Sequence, residues 1–415
     1  SDGDSKPDYI DLDSDNDTIF DVDKAGLGSL DVNNDGKVDG TDPDTDGILG
    51  GADDNPAAFG DKPDDTDNDG LPNFGECPVS VVAALGVANG SQSRAWAGLT
   101  NTLFVSNPVV TPLNQVNFGV SATETTLLGD VDGDGVADLV AALGSSEPGG
   151  PLIRVWLANS NGTFATNPIL TVPTQVNFGR SATEATEIGD VNGDGLADVV
   201  AILGIGETDG PTIKVWLATG SGHFATAPLI STVNLVNFGR NATEMSMLGD
   251  ADGDGHVDVI AALGVFSSGG PAIRVWRGDG AGNFAANPVI SIPNPDDVNF
   301  GVSATEMTLP GDVNHDGMVD VVAALGSNES GGPAIKVWLA IGSGNYAVNP
   351  VITVANQVNF GVSATEATMM GDVNGDGYAD VVAALGSGEP DGPAVKVWRS
   401  NGDGTFVATP AITPI

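Results

Sequence analysis

Apolar residues between 78 and 415 come in short runs rather than in long amphipathic stretches. Runs of four to seven residues rich in Val, Ile, Leu and Ala are separated by clusters of Gly, Asn, Asp and Pro. Runs of this length and composition predict β-strands joined by turns. Because no segment keeps the 3.6-residue period of an amphipathic helix, the pattern predicts an all-β fold.

The runs recur with a period of about 60 residues. Each unit reads VNFG, a short apolar stretch, an Asp-rich loop, a VVAALG-type run, a GGP or DGP turn and a strand that ends in Trp. Four short strands per unit, repeated radially, predict a β-propeller, and the recurring Trp gives it six blades. The six tryptophans are Trp96, Trp156, Trp216, Trp276, Trp338 and Trp398.

Two strands of the unit lack simple alternation of apolar and polar positions. The run 199–203 is apolar throughout, which predicts a strand buried on both faces between blades. In the next strand, Ile213 and Val215 share one face while Lys214 and Trp216 share the other. We expect the stripe of Trp and Lys or Arg to pack between blades, with a ring of sugar-stacking aromatics as the alternative.

An Asp-rich loop interrupts each of the last five units. Oxygen-bearing side chains stand at loop positions 1, 3, 5 and 9, and glycine stands at position 6, where the chain must turn sharply. This spacing suits a hard cation and predicts one Ca²⁺ per loop, with the carbonyl of position 7 as a further ligand. The predicted ligands are Asp130, Asp132, Asp134, Val136 and Asp138; Asp190, Asn192, Asp194, Leu196 and Asp198; Asp250, Asp252, Asp254, His256 and Asp258; Asp312, Asn314, Asp316, Met318 and Asp320; and Asp372, Asn374, Asp376, Tyr378 and Asp380.

The repeated strings resemble the FG-GAP (VCBS-type) repeats of integrin-like β-propellers. The resemblance rests on Phe178-Gly179, a Ser two residues later, Gly189-Asp190 and the loop that follows. It covers residues 78–415 and recurs from Phe118, Phe238, Phe300 and Phe360. One departure is that Ala-Ala-Leu-Gly replaces the Gly-Ala-Pro of the family. The resemblance implies that each loop joins the innermost strand of a blade to the next and faces one side of the disc.

The first unit is shorter than the others. The string LPNFGECPVSVVAALG aligns with the repeat but lacks about 14 residues between Gly75 and Val81, those that hold the apolar stretch and the Asp loop. Two hypotheses follow. Either blade 1 has a reduced inner strand, or a strand from another molecule completes it, because an unpaired sheet edge can add a strand.

Acidic residues are concentrated at the start of the chain. The net charge is −42, and residues 1–77 hold 23 Asp and Glu against four Lys. Since such groups repel one another unless cations lie among them, we expect residues 1–77 to form a separate calcium-binding spacer and residues 78–415 to form the propeller. The alternative is a permanently flexible acidic tail.

Strings such as DVNNDGKVDG in this segment resemble thrombospondin type 3 repeats, which implies short Asp loops wrapped around calcium with almost no apolar core. Without metal we expect the segment to be disordered, and with calcium to be a stiff spacer. The best single loop is Asp31, Asn33, Asp35, Lys37 through its carbonyl, and Asp39. The others are Asp42, Asp44 and Asp46; Asp65, Asp67 and Asp69; and, more loosely, Asp11, Asp13 and Asp15.

Several function classes are disfavoured by the sequence. A basic footprint for nucleic acid is missing, and no apolar run approaches 18 residues, so neither nucleic-acid binding nor membrane insertion is predicted. Cys77 is the single cysteine, so an internal disulfide is excluded. We therefore expect bound metal to stabilise the fold in place of disulfides. Loops of this kind fill reliably where calcium is abundant, which predicts an extracellular or cell-surface location.

Catalytic signatures are also missing from the sequence. The histidines His223, His256 and His315 fall at different places of the repeat, and no G-x-S-x-G elbow or P-loop occurs. We therefore predict that the protein is not an enzyme. One glutamate recurs in SATE-type strings and is interpreted as structural: Glu124, Glu184, Glu244, Glu306 and Glu366. Sequons give possible glycosylation at Asn16, Asn89, Asn161, Asn241 and Asn328.

Together these patterns predict an extracellular, calcium-stabilised structural or adhesive protein, with a subunit of a surface fibre as the favoured version. Its expected partners are further copies of itself or another surface protein. The alternative function is a lectin-type propeller that binds glycans in grooves between blades.

Overall fold

The structure, a computed structural model, describes residues 80–85, 91–99 and 103–415, apart from Asn117, Val120, Ala122, Ser160, Val236, Asn237, Ala364 and Thr365. All of these residues belong to the compact unit Pro78–Ile415. They form strands and turns, and within these ranges there is no helix and hence no helical segment that could cross a membrane. The predicted spacer 1–77 lies outside the described residues.

Six antiparallel sheets follow one another along the chain, and we number them blades 1 to 6. Blade 1 contains β1 (Val81–Leu85), β2 (Gln92–Trp96) and β5 (Val109–Pro112), with a small ribbon of β3 (Gly98–Leu99) and β4 (Leu103–Phe104) beside it. Blade 2 contains β6 (Glu124–Gly129), β7 (Asp138–Leu143), β8 (Leu152–Trp156) and β9 (Ile169–Thr171). Blade 3 contains β10 (Glu184–Gly189), β11 (Asp198–Leu203), β12 (Thr212–Trp216) and β13 (Leu229–Thr232).

The last three blades repeat the same order, except that in blade 4 a two-residue strand precedes the first strand of the repeat. Blade 4 contains β14 (Arg240–Asn241), β15 (Glu244–Gly249), β16 (Asp258–Leu263), β17 (Ala272–Trp276) and β18 (Val289–Ser291). Blade 5 contains β19 (Glu306–Gly311), β20 (Asp320–Leu325), β21 (Ala334–Trp338) and β22 (Val351–Val354). Blade 6 contains β23 (Glu366–Gly371), β24 (Asp380–Leu385), β25 (Ala394–Trp398) and β26 (Ala411–Pro414).

Apolar packing joins each blade to both of its neighbours. Six buried clusters fill the six gaps between consecutive blades, including the gap between blade 6 and blade 1. In that gap Val81 and Trp96 pack with Val382 and Val397. Burying a Val or Leu side chain contributes about 1.5–3 kcal/mol, so the clusters stabilise the ring as a whole. The prediction of an all-β propeller with six blades is confirmed.

The second strand of each complete blade is buried on both faces, as the apolar run 199–203 predicts. Alternate side chains of β11 reach opposite interfaces, because Val199 packs with blade 2 and Val200 packs with blade 4. Every residue of β11 is buried. In blades 2 to 6 the tryptophan that ends the third strand packs against the Phe of its own FG string, edge-on in blades 2, 3 and 5 and tilted in blades 4 and 6. In blade 3 the ring centroids of Trp216 and Phe178 are 4.7 Å apart.

A repeated hydrogen bond also closes the ring. In the interior interfaces a hydroxyl on the last strand of one blade accepts the backbone N–H of an aromatic residue of the next blade, as Thr171 does from Phe224 at 3.1 Å. The same bond links the end of the chain to its beginning, since Thr413 Oγ1 accepts the N–H of Phe104 at 3.0 Å. Blade 6 and blade 1 are therefore joined in the same way as interior blades.

Candidate calcium loops and the opposite face

The five Asp-rich loops lie together at one end of the blades, where the first strand turns into the second. Pairing of Gly189 with Asp198 closes the loop of blade 3 at its base. At position 6, Gly195 has φ of 83°, a conformation that favours glycine. The same strand pairing and positive φ recur in the other four loops. The strands therefore hold every loop at the same place on this face.

The position-1 aspartate folds the loop around its own carboxylate. In blade 3, Asp190 Oδ1 accepts the N–H of Gly193 at 2.7 Å and Oδ2 accepts the N–H of Gly195 at 2.8 Å. At position 5, Asp194 Oδ1 accepts the N–H of Leu196 at 3.0 Å. These bonds turn the carboxylates inward, so that the loop concentrates negative charge at its centre.

The position-9 aspartate is fully buried and connects the loop to the rest of the blade. Asp198 Oδ2 accepts the N–H of Val191 at 3.2 Å, and Oδ1 accepts the N–H of Ala218 at 2.7 Å. Burial raises the pKa of Asp198 to about 7, and the carboxylates of Asp194 and Asp190 add to the rise. The pKa is also raised to about 7 at Asp258, Asp320 and Asp380, and to about 6 at Asp138.

Two acidic groups have oxygens close enough to share one cation. In blade 2, single oxygens of Asp130, Asp132 and Asp138 lie within 4.8 Å of one another. Asp250, Asp252 and Asp254 form the second such group, in blade 4. In both groups the predicted residues of positions 1 and 3 are brought together. Position 9 joins the group in blade 2, and position 5 joins it in blade 4.

Buried oxygens without partners test whether a cation fits these loops. Asp132 Oδ1 in blade 2 and Asn374 Oδ1 in blade 6, both at position 3, are buried and accept no hydrogen bond. Such an oxygen is costly unless something satisfies it. Carboxylate and amide oxygens are the donors that Ca²⁺ prefers, so the residues present fit this ion.

Loops with Asn at position 3 use the amide against the neighbouring carboxylate. Asn192 Nδ2 donates to Asp194 Oδ2 at 2.9 Å, and Asn314 and Asn374 make the same bond to Asp316 and Asp376. The amide thereby partly offsets the negative charge of position 5. In these three loops the side chains of positions 3 and 5 are therefore in direct contact.

Neighbouring loops also contact one another around the ring. The N–H at position 8 of one loop donates to the position-1 carbonyl of the preceding loop, as Ala197 does to Asp130 at 2.6 Å. His315 Nδ1 lies 2.8 Å from the carbonyl oxygen of Gly377 in the next loop. A change that orders one loop therefore also affects the conformation of the neighbouring loops.

The loop of blade 4 has a feature that the sequence analysis missed. Arg277 Nε lies 2.9 Å from Asp252 Oδ2, so a guanidinium pairs with the position-3 carboxylate. The same Arg donates to the carbonyl of Ser343 in blade 5 at 2.6 Å. The signal in the sequence is an Arg directly after the Trp, which blade 6 shares as Arg399, whereas blades 2, 3 and 5 have Leu. We expect this loop to hold a cation more weakly than the others.

The opposite face carries pairs of glutamates that the sequence analysis interpreted only as structural. In blade 3, Glu184 begins the first strand and is buried, and Glu207 comes from the turn between the second and third strands. Thr183 Oγ1 donates to Glu207. Burial and, to a smaller extent, the nearby charge of Glu207 together raise the pKa of Glu184 to about 7. Glu306 with Glu329 repeats the arrangement.

The lysines of the third strands are held by polar groups rather than laid only along the Trp ring. The ammonium of Lys214 donates at 2.9 Å to the carbonyl of Gln175, to Asn177 Oδ1 and to Asp209 Oδ2. Five of the six tryptophans, those from Trp156 onward, are fully buried. The packing interpretation of this stripe therefore holds, and these rings are not accessible for stacking on sugars.

The remaining predicted sites fall into two groups. Outside the described residues lie Asn16, Asn89 and all the N-terminal candidates: Asp11, Asp13, Asp15, Asp31, Asn33, Asp35, Lys37, Asp39, Asp42, Asp44, Asp46, Asp65, Asp67 and Asp69. Of the described sequons, Asn161 and Asn328 are exposed. Asn241 is half-buried and its Nδ2 already donates to Glu244 at 2.7 Å, so modification there would break this bond.

Comparison with protein families identifies the repeat. The model of the FG-GAP-like repeat matches residues 130–201, 190–261, 250–323, 312–383 and 372–415, which together run without a break over more than half of the chain. The chain belongs to the FG-GAP-like repeat family. The expected resemblance is confirmed for the propeller, and each matched repeat of this FG-GAP-like protein starts at the first aspartate of a loop. No curated protein sequence matches the chain.

Several solved structures are similar to this FG-GAP-like protein at low identity. A lectin of Agrocybe aegerita, described as recognising non-reducing terminal N-acetylglucosamine, is 20% identical over 76% of this chain and 73% of its own, with a TM-score of 0.47. The Tc holotoxin pore of Photorhabdus luminescens is 16% identical over 74% and 13%, with a TM-score of 0.44. A mutant of AofleA from Arthrobotrys oligospora is 11% identical over 81% and 87%, with a TM-score of 0.40. These likenesses concern the fold and say nothing about a ligand here.

Proposed function

We propose that the protein is a calcium-stabilised, non-catalytic propeller that works as a structural or adhesive module outside the cell. The observation that carries the proposal is Asp132, whose buried Oδ1 has no hydrogen-bond partner and which has one carboxylate oxygen within 4.8 Å of oxygens of Asp130 and Asp138. Ca²⁺ bound by the loop side chains would supply the positive charge that such a cluster needs.

The role of the metal in this proposal is mechanical. Asp198 and its counterparts join each loop to the backbone after the third strand, and adjoining loops are hydrogen-bonded to one another. Cancelling the charge of the loops would therefore strengthen the whole rim, and stability would follow the free calcium level. An extracellular location fits this dependence, because calcium is abundant there.

Calorimetry tests the proposal directly. In 2 mM CaCl₂ we expect a melting temperature at least about 10 °C higher than in EDTA, since several sites that bind only the folded state add their stabilisation. Added Mg²⁺ is the control, because it prefers an octahedral shell with several waters. Equal melting temperatures in calcium and in EDTA would overturn the proposal.

A second candidate function, glycan binding, is favoured by one groove. Between blades 2 and 3, on the face opposite the loops, a groove of about 410 Å³ is lined by amide, hydroxyl and carboxyl groups, among them Gln175, Ser181 and Glu207. Such groups can hydrogen-bond the hydroxyls of a sugar. A glycan array separates the two candidates: saturable binding that Ser181→Ala abolishes, with the melting temperature unchanged, would favour the lectin.

A further inference from the structure

Among the described residues, blade 1 is open at a place where every other blade is covered. In blades 2 to 5 all six residues of the second strand are buried. In β1 only Val81 is buried, and the four residues from Val82 to Leu85 are half-buried. Among the described residues, β1 pairs with β2 alone, while each equivalent strand pairs on both sides. The free edge of β1 therefore lies where the other blades have a first strand.

The strands on either side of this position are also less buried than the first strands of blades 4 and 5. In β15 and β19 the first four residues are buried. In β6 only Thr125 and Leu127 are buried, with Leu128 39% exposed, and in β23 only Thr368 is buried. These two strands flank the place in the inner ring where the described residues provide no first strand for blade 1, and both are less covered there.

A groove of about 660 Å³ occupies this place between blades 1 and 6, and we call it the notch. Its walls include Val81, Ala83 and Leu85 on one side and Met369 and Ala384 on the other. Most of the exposed lining is apolar carbon, since these are Val, Ala, Leu and Met side chains. An open sheet edge with an apolar wall is the usual setting for an added strand.

The complete blades specify what would fit. Their first strands are six residues long, run antiparallel to the second strand and pair with it residue by residue, as Glu184–Gly189 does with Asp198–Leu203. The third residue is Thr or Ser, and its hydroxyl accepts the N–H of the FG glycine, as Thr186 does from Gly179 at 2.9 Å. The second residue is small or apolar, and the last is Gly.

We propose that the notch is a docking site for an extended segment of a partner protein with this first-strand sequence, added antiparallel to β1. The notch is continuous with the ring of interfaces between blades, so the added strand would contact β6 and β23 as the first strands contact one another elsewhere. A separate partner is favoured over a second copy, because the five described first strands of another copy are already paired inside their own blades. The inference names the partner of the adhesive role proposed above and rests on that role.

Titration of the full chain with a peptide tests the proposal. The probe is SATEATEIGD, the sequence of residues 181–190, and isothermal titration in 2 mM CaCl₂ should give one site per chain. The matched control peptide replaces the Thr at the position of Thr186 by Pro, which removes an N–H and the hydroxyl. It should bind at least about tenfold more weakly, as expected when a ladder hydrogen bond and a buried hydroxyl are both lost.

Variants of the chain locate the site. Ala83→Arg and Met369→Glu change opposite walls of the notch, and each should abolish binding of the probe peptide. Phe266→Ala, at a residue of blade 4 that is 88% exposed, is the control and should leave peptide binding unchanged. The melting temperature of each variant in calcium shows that it is folded. That same measurement separates failure of the calcium proposal from failure of the docking proposal.

Two outcomes would overturn the docking proposal. If the full chain is a monomer by analytical ultracentrifugation and binds neither peptide, residues of the chain itself cover the notch. If the full chain self-associates and the probe peptide disperses the oligomers, a second copy is the occupant rather than a separate partner.

Discussion

Blade 1 and blade 3 are built from the same repeat, yet their second strands lie in different surroundings. In blade 3, β11 has strands on both sides, and Asp198 at its start joins the loop to the backbone of Ala218. In blade 1, β1 begins after Ser80, an exposed residue at the position equivalent to Asp198. The comparison separates two structural roles of the repeat, packing between blades and burial of the inner ring. Packing between blades survives without the first strand and its loop, whereas burial of the inner ring does not.

The contacts between blades 6 and 1 show that packing between blades does not depend on the first strand. Val81 and Trp96 are buried against blade 6, and Thr413 still accepts the N–H of Phe104. The second, third and fourth strands therefore suffice to join blades 1 and 6. The first strand and the loop add cover near the axis and a place for a cation, and these additions are what blade 1 lacks among the described residues.

The largest effect should come from giving blade 3 the residue of blade 1 at this position. Asp198→Ser removes the carboxylate that accepts two buried N–H groups, from Val191 and Ala218. Leaving both without a partner costs about 2–6 kcal/mol, since each unsatisfied buried donor costs about 1–3 kcal/mol. Urea unfolding in EDTA measures this loss without any contribution from calcium.

Asp198→Asn is the matched control, because one oxygen remains to accept the shorter bond. Its free energy of unfolding should lie between those of the wild type and Asp198→Ser. If Asp198→Ser unfolds in EDTA with the free energy of the wild type, the aspartate serves metal binding alone and the comparison of the blades loses its basis.

The strand order and the loop positions could be predicted from the sequence, because both depend on local patterns. Short β-branched runs predict strands, and the D-x-N-x-D-G-x-x-D spacing places the oxygens inside one turn. The structural role of Asp198 could not be predicted, because its partner Ala218 follows a strand 20 residues later and donates only through its backbone. From sequence alone this residue looks like one more ligand.

Contacts between turns could not be predicted from the sequence for the same reason. Glu184 and Glu207 each look like exposed acidic residues until the sheet brings the start of one strand beside a later turn. Arg277 lies near Asp252 only because the third strand returns to the loop face. The incomplete first unit, by contrast, was readable as a gap in an otherwise regular repeat.

A smaller effect is expected on the dependence of stability on pH, and blade 4 provides the comparison. Since the pKa of Glu184 is about 7 in the folded state and 4.5 in its ordinary state, the folded form favours the protonated carboxyl. Stability from this group is therefore complete below pH about 4.5 and is lost as the pH rises to about 7. Glu207→Gln should flatten this fall, because it removes the nearby negative charge.

In blade 4, Ser267 stands where blade 3 has Glu207, so Ser267→Glu should add a pair and steepen the fall. Melting temperatures between pH 5 and pH 8 measure both variants against the wild type. The loop aspartates titrate in the same range in all three proteins, so they cancel in the differences. Parallel curves for all three would show that the glutamate pairs do not govern this dependence.

The smallest effect separates the indole hydrogen bond from the packing of the ring. Trp216 is fully buried and its Nε1 donates to the carbonyl of Thr174 at 3.3 Å. Trp338 is equally buried, but its Nε1 has no hydrogen-bond partner among the described residues. The Nε1 of Trp96 in blade 1 likewise has no partner among these residues. Replacing each by Phe removes similar volume, so Trp216→Phe should cost about 1 kcal/mol more than Trp338→Phe, the net value of one hydrogen bond. Trp96→Phe should lower the free energy of unfolding the least, because that ring packs beside the notch. If urea unfolding gives equal losses of this free energy for Trp96→Phe and Trp338→Phe, blade 1 is as well packed as blade 5.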